Sequence, residues 1–152
     1  MKIAIGSDHA GYQLKHAVIE HLKNKGIACD DYGTGNGIDS VSYVAYGVSV
    51  ARAVQQGKAD FGIVICGTGI GVSVTVNKHR GIRGALCCNE YMARMARQHN
   101  DANVLAMGAR VIGPALALAI VDAFLGESFE SGGRHQVRVN EIGAAEEQNF
   151  HC

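Results

Sequence analysis

The chain has 152 residues, 47% of them hydrophobic, and a formal net charge of zero at pH 7. This length suits one domain over residues 1–152 with a sizeable core, and the apolar content argues against disorder. The neutral charge gives no reason to expect a nucleic-acid or membrane-surface partner, and no apolar run approaches the length of a membrane span. The five cysteines lack zinc-type or redox spacing, so we expect thiols in a reducing cytoplasm.

Strand-like and helix-like patterns alternate along the chain. Apolar residues at helical spacing follow the first, second, fourth and fifth strand-like runs. The helix after the fifth run starts at Pro114, where a missing N–H costs nothing. The predicted strands cover residues 2–6, 27–32, 61–66, 82–87 and 104–107.

Residues 70–76 give conflicting signals. Val72, Val74 and Val76 alternate with polar residues, which by periodicity alone is typical of a strand. Parallel strands, however, need a crossover between them, and that crossover is usually a helix. We therefore predict a helix here, against the local propensity.

Alternating βα units of this length predict an α/β fold: a doubly wound parallel sheet of five strands, of Rossmann or flavodoxin-like type, with a C-terminal helical tail. We expect the strand order 2-1-3-4-5, which makes the first and third strands neighbours at the switch point. Ligands bind there, at the carboxyl ends of the strands. Asp8 and His9 follow the first strand and Cys66 ends the third, so these groups should converge on one crevice.

The third strand opens into a glycine-rich loop, residues 66–71, of sequence Cys-Gly-Thr-Gly-Ile-Gly. Glycines at alternate positions let several backbone N–H groups converge, since no Cβ blocks approach. Cys66 therefore lies beside an anion-binding nest, with the Thr68 hydroxyl in the same loop. An inert buried thiol is the alternative, but the strand exit favours a catalytic nucleophile or base. The cysteines in or beside other strands are expected to be packing residues: Cys29, Cys87 and Cys88.

Two further groups of residues are candidates for chemistry. Arg134 and Arg138 stand four residues apart, so on a helix they could clamp a phosphate or carboxylate; the alternative is a solvated basic helix. His99 closes the fourth helix, at the opposite end of the sheet from the crevice. It either caps that helix or serves a neighbouring subunit. The second reading predicts a homo-oligomer, a dimer or a dimer of dimers, with shared sites.

Six segments carry these motifs in the following order: Ser7-Asp8-His9, residues 66–71, Asn77-Lys78, Arg97-Gln98-His99-Asn100-Asp101, Gly108-Ala109-Arg110 and Gly133-Arg134-His135-Gln136-Val137-Arg138-Val139. Together they resemble the type B ribose-5-phosphate isomerases, which belong to a wider group that includes galactose-6-phosphate isomerase subunits. The resemblance covers nearly the whole chain. Its specificity comes from the coincidence of several motifs, because the glycine loop alone is a weak signal.

The resemblance implies an aldose–ketose isomerase, free of metal and cofactor, that interconverts ribose 5-phosphate and ribulose 5-phosphate through a cis-enediol(ate). Cys66 would move a proton between two sugar carbons with help from Thr68, and His99 would open the furanose ring. Loop N–H groups would stabilise the enediolate oxygen. The implied substrate contacts are Asp8, His9, Tyr43, Gly67, Gly69, Ile70, Gly71 and Asn100, and the implied phosphate ligands are His9, Arg110, Arg134 and Arg138.

Two positions depart from the family pattern. Some relatives carry a glutamate base just after the last loop glycine, in place of the cysteine base. This chain has Val72 at that position, so of the two alternative bases only Cys66 is present. Relatives commonly read Asp-Tyr-Pro where this chain has Ser42, Tyr43 and Val44. This departure leaves the preferred sugar open, and Tyr43 is either a substrate contact or an interface residue.

Three alternatives to a pentose-phosphate isomerase remain. The first is an isomerase of a six-carbon aldose 6-phosphate, of allose or galactose type. The second is a Cys–His acyl-transfer enzyme with Cys66 as nucleophile, against which the phosphate clamp argues. The third is a phosphosugar-binding module without catalysis, for which both Cys66 and His99 would be superfluous.

Overall fold

The computed structural model describes residues 1–150, so the expected Cys152 thiol lies outside the described residues. The strands are β1 (Lys2–Ser7), β2 (Ala28–Asp31), β3 (Phe61–Cys66), β4 (Gly84–Leu86) and β5 (Val104–Gly108). The helices are α1 (Tyr12–Asn24), α2 (Tyr43–Gln55), α3 (Ile70–Val76), α4 (Glu90–Asn100), α5 (Pro114–Leu125) and α6 (Arg134–Asn149), and a short 3₁₀ turn (His9–Gly11) precedes α1.

Over residues 1–150 the strands form one parallel sheet in the order β2-β1-β3-β5-β4, which confirms the fold class but corrects the expected strand order. β5, not β4, lies beside β3. Every residue of β5 is buried, whereas the three residues of β4 are only partly buried. A strand that is apolar on both faces belongs inside a sheet, and a short, partly exposed strand fits its edge.

Side chains of the central strands alternate between two apolar layers. One layer contains Ile3, Ile5 and the side chains of β3 and β5 on the same face of the sheet, and it packs against α1, α4 and α5. Ala4, Val64 and their counterparts pack against α2 and α3 on the other face. Helices therefore cover both faces of the sheet, as the alternating pattern predicted.

The helix predicted for residues 70–76 is confirmed as α3. Val72 and Val76 are buried while Val74 is 56% exposed, so burial recurs every four residues rather than every two. Among residues 1–150 no helix has both the length and the apolar character required to span a membrane.

A buried ion pair ties α1 to the end of β2. Lys15 is 1% exposed, and its Nζ lies 2.7 and 2.9 Å from the two carboxylate oxygens of Asp31 and 3.0 Å from the carbonyl oxygen of Thr34. The Asp31 side chain is 37% exposed. Water can therefore solvate the carboxylate but not the ammonium. Removing Asp31 and removing Lys15 should for this reason change the free energy of unfolding by different amounts.

We expect Asp31→Ala to lower the free energy of unfolding by about 3 kcal/mol, because it leaves a buried ammonium without its counter-charge. Lys15→Met should cost about 1 kcal/mol or less, because it removes the buried charge and leaves a half-exposed carboxylate that water solvates. Urea unfolding of the two variants checks this order. Equal losses would contradict it.

Candidate active site

The carboxyl ends of β1, β3 and β5 meet at one edge of the sheet. Ser7 pairs in register with Ile65, and Cys66 pairs with Gly108. The segments that follow these three strands surround a cavity of about 430 Å³. Its walls are Asp8, His9, Ala10, Tyr43, Cys66, Gly67, Thr68, Ile70, Gly71 and Arg110. The predicted convergence of the first and third strand ends is therefore confirmed.

The Cys66 sulfur combines a low exposure with access to this cavity. The residue is 4% exposed and lines the wall, and the N–H of Gly69 donates to Sγ at 3.2 Å. An amide pointing at sulfur stabilises a thiolate. The first turn of α3 overlaps the end of the loop, and helix geometry leaves its N–H groups without intrahelical acceptors. The N–H of Ile70 donates to Thr68 Oγ1 at 3.3 Å, and that of Gly71 is available to an oxygen that gains negative charge in the cavity.

The other described cysteines offer no comparable setting. Burial raises the pKa of the Cys87 thiol to about 12 and that of the Cys29 thiol to about 11, the latter with a further contribution from Asp31 and Asp30. Both thiols therefore stay protonated at neutral pH, in keeping with a packing role. Cys88 is exposed, contrary to the expectation that it packs, because β4 ends before it at Leu86.

The loop conformation depends on Gly69 and on the close approach of β5. Gly69 has φ +79°, and a Cβ there would lie 2.5 Å from Leu86 Cδ1 and 2.8 Å from the carbonyl carbon of Met107. A Cβ at Gly108 would lie 2.5 Å from the carbonyl oxygen of Thr68. The chain can therefore pack the loop onto β5 only with glycine at both positions.

The corrected strand order brings Arg110 to the cavity. Because β5 lies beside β3, the N–H groups of Ala109 and Arg110 donate to the carbonyl oxygens of Cys66 and Gly67, both at 2.9 Å. Arg110 thus borders the Cys66 loop and supplies a cation to the cavity wall. In the expected order, with β4 next to β3, this contact would not form.

Asp8 and His9, which follow β1, line the same cavity. Asp8 is 6% exposed, and its Oδ1 accepts from the Gly11 N–H at 3.1 Å, which caps the 3₁₀ turn and fixes the carboxylate. His9 Nδ1 accepts from the N–H of Val41 at 3.2 Å. Sequence patterns gave no sign of the Val41 contact, because a backbone amide has no residue signature.

Tyr43 packs its ring onto the loop. A Cβ at Gly71 would lie 2.5 Å from Tyr43 Cζ, so glycine is what admits the ring. Tyr43 is 38% exposed and lines the cavity. Ser42 and Val44, which stand on either side of Tyr43 where relatives commonly have Asp and Pro, fit each other. Ser42 Oγ caps α2 by accepting from the Val44 N–H at 3.3 Å, a donor that a proline at position 44 would lack.

Four candidates lie apart from this cavity: within residues 1–150, none of His99, Asn100, Arg134 and Arg138 forms part of its wall. His99 and Asn100 end α4, and the two arginines begin α6, which is a helix as expected. Both arginines are exposed. The sequence thus produced two groups of candidates, and the structure places them in different regions of one subunit.

His99 does not act as the cap of α4. That end is closed by backbone N–H groups of Asp101 and Ala102, with Asp101 at φ 45°. The His99 ring instead stacks on His135, with 3.9 Å between ring centroids and 4° between planes. Burial, followed by repulsion from His99 and Arg134, lowers the pKa of His135, which favours its neutral form.

His99, Glu130 and His135 have ligand atoms within 4.8 Å of one another. An imidazole nitrogen coordinates a metal in the plane of its own ring, and these two rings are stacked in parallel. One ion would meet both nitrogens only after the rings turn. The arrangement therefore suits a stacked pair of histidines better than a metal centre.

Comparison with known proteins shows the family of the chain. The family model for Ribose/Galactose Isomerase matches residues 3–142. The chain is similar to ribose-5-phosphate isomerase B of Escherichia coli, with 50% identity over 97% of both chains, and to D-erythrulose-4-phosphate isomerase of Pectobacterium atrosepticum, with 42% identity over 99% of both. The structure of ribose-5-phosphate isomerase B from Clostridium thermocellum superimposes with a TM-score of 0.95, at 54% identity over 98% of this chain and 99% of that one. The chain belongs to the ribose/galactose isomerase family of sugar-phosphate isomerases.

Proposed function

We propose that this protein interconverts D-ribose 5-phosphate and D-ribulose 5-phosphate through a cis-enediol(ate), as one isomerase domain over residues 1–152. The observation that carries the proposal is the Cys66 sulfur, which accepts from the Gly69 amide and lines a 430 Å³ cavity together with Asp8 and His9. The names of the relatives from Escherichia coli and Clostridium thermocellum support this substrate pair. We place the reaction in the cytoplasm and assign it no cofactor.

The geometry supports a single base that moves one proton. The Cys66 thiolate takes the proton from C2 of the open-chain aldose, whose carbonyl oxygen becomes the enediolate oxygen. The proton on sulfur, which can exchange with water while the enediolate is bound, is delivered to C1, and the hydroxyl proton of O2 passes to O1, which leaves the C2 ketone of the product. Thr68 assists by hydrogen bonding, while loop and first-turn N–H groups, including those of Gly67 and Gly71, stabilise the oxygen. Asp8 and Tyr43 contact the sugar, and His9 and Arg110 contact the phosphate.

We further propose that a second copy of the chain completes each site. The Cys66 cavity holds one arginine, and the implied ring-opening and clamp residues of the same subunit lie elsewhere. An apolar surface adjoins the cavity and shares Tyr43 and Ile70 with it; its side chains are exposed in one subunit: Tyr43, Val44, Ile70 and Val74. A dimer or a dimer of dimers would cover this surface and bring His99, Asn100, Arg134 and Arg138 of one subunit to the cavity of the other.

Mixing two inactive variants tests the shared site. In a mixed dimer of Cys66→Ala and His99→Asn subunits, one site carries both lesions and the other carries neither. Random assembly from equal amounts should therefore restore about a quarter of the wild-type activity. Activity is measured after subunit exchange, and mass spectrometry of the intact dimer confirms that mixed dimers have formed. No recovery in confirmed mixed dimers would mean that each site lies within one subunit.

His99→Asn is expected to impair the reaction from the cyclic aldose phosphate more than the reaction from the open-chain ketose. Only the aldose needs its ring opened, and loss of a general acid–base group costs about 10²-fold or more. Single-turnover rates in both directions provide the comparison. Equal losses in the two directions would contradict a ring-opening role.

A substrate panel with purified protein tests the proposed reaction itself. The panel contains four-, five- and six-carbon aldose phosphates, each with and without a chelator. The four-carbon member is included because a 42% identical relative is a D-erythrulose-4-phosphate isomerase. We expect the highest kcat/KM with ribose 5-phosphate and no effect of the chelator. A higher kcat/KM with a six-carbon or four-carbon sugar phosphate would mean that this sugar, and not ribose 5-phosphate, is the preferred substrate. Binding without turnover would indicate a phosphosugar-binding module.

A further inference from the structure

The His9 ring is held from one side by a distant part of the backbone. The N–H of Val41 donates to His9 Nδ1 at 3.2 Å. A backbone amide can only donate, so Nδ1 is the acceptor and carries no proton. In the neutral ring the proton must then lie on Nε2. The tautomer of His9 follows from this one contact.

The segment that carries this amide, residues 33–42, is fixed by contacts outside the cavity. The N–H of Thr34 donates to the carbonyl oxygen of Ser7 at 3.0 Å. Farther along, Asn36 Oδ1 accepts from two backbone N–H groups at 3.0 Å and closes a turn. Val41 follows this turn and precedes α2. Its amide is therefore placed by the segment and not by the imidazole that it contacts.

Nε2 is the ring nitrogen of His9 that Val41 does not engage. His9 lines the wall together with Arg110, and with Nδ1 engaged by Val41, Nε2–H is the hydrogen-bonding group left to a ligand. A neutral ring in this state offers one donor and no charge. A ligand atom that meets it must be an acceptor, such as a phosphate oxygen, while the positive charge at this wall comes from Arg110.

We propose that the Val41 amide is a positioning group that holds His9 as the Nε2–H tautomer, so that His9 binds the phosphate of the substrate as an uncharged hydrogen-bond donor. The identity of that phosphate rests on the function proposed above. The tautomer of His9 does not depend on that function, because the contact with Val41 sets it without any ligand.

The tautomer can be read by ¹⁵N NMR of histidine-labelled, ligand-free protein, with the His9→Gln spectrum assigning the His9 signals. We expect a protonated Nε2 and an unprotonated Nδ1 in the wild type. Val41→Pro removes the amide donor, and Val41→Ala is the matched control that keeps it. Val41→Pro should populate both tautomers and bind inorganic phosphate about 3- to 10-fold more weakly than Val41→Ala, as expected for one hydrogen bond.

A proton on Nδ1 in the wild type, or identical tautomer populations and affinities in the two Val41 variants, would overturn the proposal. If Val41→Pro does not fold, two His9 variants provide the test. His9→Gln places an amide N–H near the position of Nε2 and should bind inorganic phosphate within about threefold of wild type, whereas the shorter His9→Asn keeps its amide near the position of Nδ1, short of the phosphate, and should lose about 10-fold or more. Equal losses, or the reverse order, would contradict the donor role.

These measurements use no sugar and no turnover, so they remain informative if the isomerase assignment fails. With ribose 5-phosphate as substrate, Val41→Pro should raise KM several-fold and leave kcat near that of Val41→Ala, because the contact holds phosphate in the ground state and the transition state alike.

Discussion

Replacing Cys66 by alanine should lower the isomerisation kcat by about 10³-fold or more while substrate binding is largely retained, because general base catalysis contributes about 10²–10⁴-fold and the sulfur is the proposed base. The side chain lost is small and 4% exposed, and the cavity wall around it is otherwise unchanged. Position 72, where a glutamate could serve instead, holds a fully buried valine. Steady-state kinetics and equilibrium binding of ribose 5-phosphate measure the two effects separately.

Cys88→Ala is the matched control for that variant. Cys88 is an exposed thiol outside the cavity wall, so its loss should leave both kcat and KM unchanged. Near-normal turnover of Cys66→Ala would exclude the sulfur as the base. A covalent thioester detected on Cys66 with an acyl substrate would revive the acyl-transfer alternative.

Gly69→Ala should have the second large effect, because it disturbs the loop that presents both sulfur and amides. A left-handed φ costs a residue with a Cβ about 1–2 kcal/mol. Here the Cβ would also meet the backbone of β5 at 2.8–2.9 Å, and such overpacking costs about 1–3 kcal/mol more. The variant should unfold at lower urea concentration and lose about 10²-fold in kcat, as when one preorganised donor is removed.

Gly81→Ala separates the cost of a left-handed φ from the cost of the close contact with β5. Gly81 has φ +72°, almost the value at Gly69, but a Cβ there would meet nothing within 4 Å. It should therefore cost about 1–2 kcal/mol of stability and no activity. Equal kinetic parameters for the two variants would contradict a role for the Gly69 loop geometry in catalysis.

The fold class could be predicted because alternating apolar runs leave few options for a chain of this length. Even residues 70–76 were predicted correctly from the need for a crossover, against their own alternation. Strand order was harder, because it depends on how completely each strand is buried. Residues 82–87 looked like a full strand, yet only Gly84–Leu86 pair, at the sheet edge, while β5 occupies the interior.

The candidate site could be predicted where it follows from strand ends. Asp8, Cys66 and Thr68 converge because β1 and β3 are neighbours. The contact of Arg110 with the loop could not be derived, since it needs β5 beside β3. The Val41 amide and the Gly108 approach also escaped prediction, because both are backbone contacts between segments distant in sequence.

Proton exchange with solvent tests the central claim most directly, because it isolates the step assigned to the Cys66 sulfur. Ribulose 5-phosphate is incubated in D₂O with wild-type protein or with Cys66→Ala, and deuterium at the carbon next to the carbonyl is followed by NMR. We predict that the wild type incorporates deuterium and that Cys66→Ala, with substrate bound, does not. Incorporation by Cys66→Ala at the wild-type rate would show that another group removes the proton.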